Sequence, residues 1–207
     1  KDFYYYNKCK IHCYDHTIKY SLIKKFSRSS FLKIFNKKYW TVNGLKKIFF
    51  NIKLYKDYKK FFSKEVLHFQ SAIGIGSNLI NLDTVFNRVN SDKVFLKVDI
   101  EGSEYRILEG LIKYQNNISG LVIEFHNIDL HIERILEFIK NFKLKLIHIH
   151  GQNPGGRDYL DVNGDPIQIE LTFSSYSKFK YSNPCIPHEL DQPSDPRYKD
   201  IDLKFIV

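Results

Sequence analysis

Leu96-Lys97-Val98-Asp99-Ile100-Glu101-Gly102-Ser103-Glu104-Tyr105-Arg106-Ile107-Leu108-Glu109-Gly110 is the stretch on which the reading of the fold turns. Residues 93–98 form a short, nearly continuous apolar run, which suits a strand in a sheet covered on both faces. Two acids follow, then Gly102-Ser103 turns the chain into a helix with Tyr105, Leu108, Leu111 and Ile112 on its apolar face. Strand, acidic loop and helix in that order are the unit of an α/β fold.

Working toward the C-terminus, residues 120–125 read as a second buried strand and 132–142 as a helix carrying Ile135, Leu136 and Ile139. Two further strands are expected over 144–149 and 167–173, with a Gly-, Asn-, Asp- and Pro-rich loop over 151–165 between them. Strands alternating with helices imply right-handed crossovers and a mostly parallel sheet. The last two strands lack a helix between them and should form an antiparallel hairpin at one edge. From Tyr181 onward, Pro184, Pro187, Pro193 and Pro196 point to an extended arm over the surface.

Working toward the N-terminus, residues 82–89 read as a short helix and 66–73 as a strand. Gly74-Ile75-Gly76-Ser77-Asn78 is a turn, too short of a full G-x-G-x-x-G to mark a nucleotide site. Residues 10–14 form a strand ending in Asp15-His16-Thr17. Between it and Phe62 the apolar residues recur at helical spacing. Asn43-Gly44 and the Ser27–Ser30 run suggest breaks between two or three amphipathic helices.

The composition, 43% hydrophobic and 27% charged, is that of a globular domain and excludes a disordered chain. No apolar run approaches the roughly 20 residues that cross a bilayer. Nothing marks secretion, and three scattered cysteines make no disulfide framework, so the cytoplasm is the expected compartment. Cys9 and Cys13 are spaced too widely for the usual zinc pair, and buried, inert thiols are expected. The net charge of +9 is uneven: nearly all Lys/Arg excess lies in residues 1–65, and the remainder is slightly acidic. Such a segment steers toward anionic partners, or is a solvated lysine-rich helical surface. Peripheral membrane contact through it is an expectation; a stable nucleic-acid partner is not.

In an open α/β sheet ligands bind beyond the carboxyl ends of the strands. Here those ends are polar: Asp15-His16-Thr17, Asp99 to Gly102, Glu124 to Asn127, and His148 to Asn153. Asp15 suits the two hydroxyls of a ribose, or an N-cap beside Thr17. Lys97 inside a buried strand needs a counter-charge, and Asp99 and Glu124 are the obvious ones. Glu124 and His126 share a side, and a histidine beside a carboxylate can serve as general base. A divalent metal on Asp99, Glu101, Glu124 and a histidine would polarise a hydroxyl, but no tight ligand spacing supports one and none is expected.

The stretch over residues 96–110 resembles the core signature of the FkbM-type methyltransferase family, L-K-[IV]-D-[IV]-E-G-x-E-x-x-[IL]-L-x-G. Val122-Ile123-Glu124-Phe125-His126 resembles the family's next strand. His148 to Asn153 and Ile169-Glu170-Leu171-Thr172-Phe173 resemble its closing segments, His12 to Thr17 the strand whose acid meets the ribose, and Leu190-Asp191-Gln192-Pro193 a tail seen in one branch. The resemblance implies a Rossmann-like class I methyltransferase that moves a methyl group from S-adenosylmethionine to an oxygen of a small-molecule or glycan acceptor. It implies cofactor contacts at Asp15, His16 and Asp99, chemistry at Asp99, Glu101, Glu124 and His126, and acceptor contacts at His150 and Asn153. The family's first strand and glycine-rich turn should precede Lys10, and the nine residues there hold no glycine. The chain is therefore read as one domain over 1–207, N-terminally incomplete, with a basic helical insert at about 18–64 and the proline-rich arm at about 181–207. The competing reading is a non-catalytic Rossmann-like module that holds anionic lipid or nucleic acid through the basic segment.

Overall fold

A computed structural model describes residues 6–62, 64–155, 159–175 and 186–203. Cys185, Pro184 and the ends of the proline-rich arm lie outside the described residues. The chain divides into two compact units, Lys1–Ala72 and Ile73–Val207.

In the first unit β1 (Ile11–Tyr14) pairs in parallel with β2 (Val66–Phe69). The connection between them holds helices α1 (Tyr20–Lys33) and α2 (Val42–Phe61). The expected break at Ser27–Ser30 is absent. Both serines are buried within α1, and Ser30 Oγ accepts a hydrogen bond from Asn51 Nδ2 of α2 at 3.0 Å. A serine inside a helix is tolerated when its hydroxyl finds such a partner instead of competing for the backbone. Asn43-Gly44 does not interrupt either: it occupies the first turn of α2. Thr41 caps that turn by accepting from Gly44 N at 3.1 Å. The true break lies between α1 and α2, around a 3-10 turn at Lys37–Tyr39 capped by Asn36. β2 is shorter than expected, because the chain leaves the sheet after Phe69 and Ile73 bridges only to Ile80.

The second unit is built on a four-stranded sheet in the order β3-β4-β6-β5, with β3 (Val94–Val98), β4 (Ile118–His126), β5 (Lys145–Gly151) and β6 (Gln168–Ser174). β3 and β4 are parallel, and β6 runs antiparallel to both β4 and β5. The final two strands do pair as expected, but β6 slots between β4 and β5 instead of adding at the rim, and β5 takes the edge. Among the described residues the strands thus form two sheets, not one, and the four-stranded one is mixed. Helices α3 (Leu82–Val89), α4 (Leu108–Lys113) and α5 (Ile132–Asn141) complete the unit.

One sheet face supplies the core. Leu121, Ile123 and Phe125 of β4 alternate inward, joined by Leu171 and Phe173 of β6, Leu111 of α4, and Ile135 and Phe138 of α5; all are essentially inaccessible. Leu136, expected on the inner side of α5, is exposed, because the helical period brings Ile135 and Phe138 to the sheet and turns position 136 outward. β3 is covered on one face only: Val94 and Val98 are buried, while Phe95 and Lys97 are exposed. No helix among the described residues is long and apolar enough to cross a membrane.

Candidate functional site

The chemistry gathers in the second unit, where β3 and β4 end side by side. β3 stops at Val98, and the chain turns through Asp99, Ile100 and Glu101. Glu101 adopts a left-handed conformation (φ 54°), and Gly102 follows at φ 90°. A non-glycine residue in that region is strained and needs outside support. Glu104 supplies it. Its side chain is 0% exposed, and its Oε1 accepts from the backbone N–H of Ile100 at 3.0 Å and of Gly102 at 3.2 Å. A buried carboxylate thus ties the turn from beneath.

The tip of β4 faces this turn. His126 Nδ1 lies 3.3 Å from Glu104 Oε1, while its Nε2 lies 3.6 Å from Glu101 Oε2 and 3.9 Å from Glu124 Oε1. The ring therefore has carboxylates on both sides, a buried one behind and two before it. Tyr105, in the 3-10 turn after Gly102, donates its hydroxyl to the carbonyl of His126 at 2.7 Å and fixes the strand end. Burial is the main cause that pushes the Tyr105 phenol far above its ordinary range, with the Glu104 charge adding to it.

β6 completes the cluster because its register sets Glu170 opposite Glu124 and Gln168 opposite His126. The Gln168 amide donates to Glu124 Oε1 and sits 3.3 Å from His126 Nε2. Lys97 donates to Glu170 and lies 3.8 Å from Glu124 Oε2. The expected Lys97–Glu124 partnership is present, but the direct partner is Glu170, and Asp99 is not an ion-pair partner of Lys97. The Lys97 side chain is half exposed, so it does not bear the full penalty of a buried charge. Burial raises the Glu124 carboxyl above its usual range, and the Asp99 charge adds to that. Gln168, Lys97 and His126 pull the other way and do not cancel it.

Asp99, Glu101 and His126 each bring one ligand atom within 4.8 Å of the others. Such a trio can hold a cation or a ligand rich in hydroxyls. Among the described residues the Asp99 carboxylate accepts no hydrogen bond, so its acceptor capacity is free for one.

Asp15 belongs to the first unit. Its Oδ1 accepts from Thr17 N at 2.7 Å, from Thr17 Oγ1 at 2.6 Å and from Ile18 N at 3.3 Å. This is the local cap that the Asp15-x-Thr17 spacing allowed. Partial burial works against its ionised form, but these hydrogen bonds outweigh burial and hold the carboxyl below its ordinary range. His16 beside it is exposed.

His150 and Asn153, expected to meet an acceptor, instead anchor the C-terminal segment. His150 is 6% exposed; its Nε2 pairs with Asp200 Oδ2 at 2.9 Å and its Nδ1 faces Gln152 at 3.3 Å. Asn153 is 1% exposed. Its amide donates to the carbonyl of Lys199 at 2.9 Å, and its Oδ1 accepts from Asp195 N at 3.1 Å. A buried polar side chain needs such partners, and these leave neither residue open to a ligand. Gly74-Ile75-Gly76 lines an open cleft with Arg106 and Gly110, but the cleft does not include Asp99, Glu124 or His126.

Sequence reasoning missed Glu104, Gln168 and Glu170. The alternation of Gln168, Glu170 and Thr172 along β6 was a usable signal; which strand they would face was not.

A family model of the methyltransferase FkbM domain matches residues 40–146, just over half of the 207 residues. No curated protein and no solved structure gives a significant match.

Proposed function

The chain belongs to the FkbM methyltransferase family, and from that premise we propose that it is an S-adenosylmethionine-dependent O-methyltransferase whose acceptor is a sugar or glycan hydroxyl. The observation that carries this reading is the cluster at the ends of β3 and β4, where exposed Asp99 and Glu101 stand before a histidine backed by a buried carboxylate.

The donor set fits the cofactor's chemistry. Carboxylates with free acceptor capacity suit ribose hydroxyls and a positively charged donor, and Asp99 offers this. Asp15, in the first unit, keeps Oδ2 outside its local cap. When bound, S-adenosylmethionine would supply a methyl group activated on a sulfonium, with the neutral thioether as the leaving group. His126 Nε2 takes the acceptor's proton. Glu101 and Glu124, at 3.6 and 3.9 Å, stabilise the positive ring that results. The buried Glu104 carboxylate lies 3.3 Å from Nδ1 on the other side of the ring. The rate gain comes mainly from holding the acceptor oxygen in line, with general-base help worth roughly 10²–10⁴-fold. Cys9 and Cys13 are free thiols, Cys9 exposed and Cys13 half-buried where burial was expected, and they suit a reducing, cytoplasmic setting.

The test is transfer of a radiolabelled methyl group from S-adenosylmethionine to a panel of saccharides. Label is expected on a hydroxyl oxygen. Transfer should be abolished in Asp99→Ala and lowered on the order of 100-fold or more in His126→Ala. Normal transfer in Asp99→Ala, or label confined to nitrogen acceptors, would overturn the assignment.

A further inference from the structure

We propose that the outer face of α2 docks on a membrane surface that carries anionic lipid. This goes beyond the methyltransferase reading and does not depend on it.

The inner face of α2 is fixed by its contacts with α1. Ile48 is buried, Asn51 reaches Ser30, and the rings of Tyr55 and Tyr58 lie 6.1 and 5.3 Å from that of Tyr20. The helical period then turns Val42, Lys46, Phe49, Phe50, Lys53 and Lys56 to the opposite side, where they line one open surface. Phe49 and Phe50 are each 63% exposed and Val42 is 72% exposed. Two adjacent phenylalanines bared to water on one helix face call for a partner.

The charge around them says which partner. Asp57, which lines the same surface beside Lys53 and Lys56, is the only acidic residue between Ile18 and Phe62, a stretch dense in lysine. Lysines spaced among exposed aromatics can lay their stems along an apolar surface and hold their ammonium groups at headgroup level. An interfacial helix of this kind buries aromatic and aliphatic side chains and pairs its cations with lipid phosphates and carboxylates. At 20 residues α2 is about 30 Å long and can lie flat. A second copy of the chain would set lysine against lysine, which is repulsive. A nucleic acid would use the lysines and stack on the rings, but gives Val42 and Leu45 of the same surface nothing apolar to enter. Trp40 strengthens the lipid reading. It sits at the α1–α2 connection, 57% exposed, with its indole N–H held on the carbonyl of Ile34 at 2.9 Å. Tryptophan so placed favours the membrane–water boundary.

Trp40 is the sole tryptophan of the chain, so its emission reports on this region directly. The experiment mixes the full chain with vesicles of phosphatidylcholine alone, or of phosphatidylcholine with phosphatidylserine, and reads sedimentation and Trp40 emission. The expected result is co-sedimentation and a blue shift with the anionic vesicles, and little of either with neutral ones. Lys46→Glu, Lys53→Glu and Lys56→Glu together should lower the partition coefficient on the order of 100-fold. Phe49→Ser with Phe50→Ser should abolish the blue shift, with circular dichroism unchanged. The proposal is overturned if the parent chain stays in the supernatant with unshifted emission, or if neither set of substitutions weakens sedimentation. It is equally overturned if the phenylalanine pair proves to drive lipid-free self-association, or if the face binds RNA and ignores vesicles. S-adenosylmethionine binding, measured separately, reports on the catalytic reading alone.

Discussion

Replacing Glu104 by alanine should unfasten the turn that presents Asp99 and Glu101. Glu104 is fully buried, and one of its oxygens satisfies two backbone N–H groups, those of Ile100 and Gly102. A hydrogen bond to a charged group contributes about 1.5–3 kcal/mol, and a half-buried donor left without a partner costs less, because water reaches it. Two such donors, in a turn already strained at Glu101 (φ 54°), set the expected loss at about 3–5 kcal/mol. For a chain of this size that lowers the melting temperature by about 10 °C. Glu104→Gln keeps an acceptor oxygen for the two amides and should lose about 1 kcal/mol. Urea denaturation of the parent and both variants, with the m-value checked for constancy, is the assay. If Glu104→Ala is as stable as the parent, the buried carboxylate does not hold the turn, and the account of how Asp99 and Glu101 are presented is wrong.

Two further predictions follow from the same loop and from β4. Gly102→Ala should destabilise by about 1 kcal/mol through backbone strain alone, since nothing lies within 4 Å of the added methyl group and φ is +90°; calorimetry that finds no loss would show that the turn relaxes. Glu124 titrates above its unfolded value, chiefly because of burial. The neutral form is therefore favoured by the fold, and its stabilisation is complete below about pH 4 and lost as pH rises through the folded value. Glu124→Gln, which cannot ionise, should gain melting temperature relative to the parent as pH rises above about 4 and the folded carboxyl ionises. A difference that is flat or reversed across that rise would refute the burial argument.

Much of the second unit was legible because period and punctuation agreed. Residues 82–89 read as a helix and form α3 over that span, with Asn81 capping it by accepting from Thr84 N at 3.0 Å. The acidic turn after β3 was visible as a strand ending in Asp99 and a glycine two residues beyond Ile100. Failures occurred where tertiary contact overrode local chemistry. Ser27 and Ser30 look like a loop until Asn51 arrives from another helix. His150 and Asn153 carry ligand-like side chains, yet their partners, Asp200 and the backbone near Lys199 and Asp195, lie more than forty residues away. No local pattern announces such pairings. Gln168 and Glu170 stayed hidden for a topological reason. Their side of β6 was predictable, but only the insertion of β6 between β4 and β5 aims them at Glu124 and Lys97. Glu104 was read as part of a signature, and its work beneath the turn depends on a 3-10 start that periodicity does not separate from an ordinary helix.

Isothermal titration of the full chain with S-adenosylmethionine tests the central claim most directly. Saturable binding is predicted for the parent chain, weakened at least tenfold in Asp99→Asn with the melting temperature unchanged. A parent that takes up no S-adenosylmethionine, or an Asp99→Asn variant that binds it as tightly as the parent, would contradict the assignment of the strand-end carboxylates to the methyl donor.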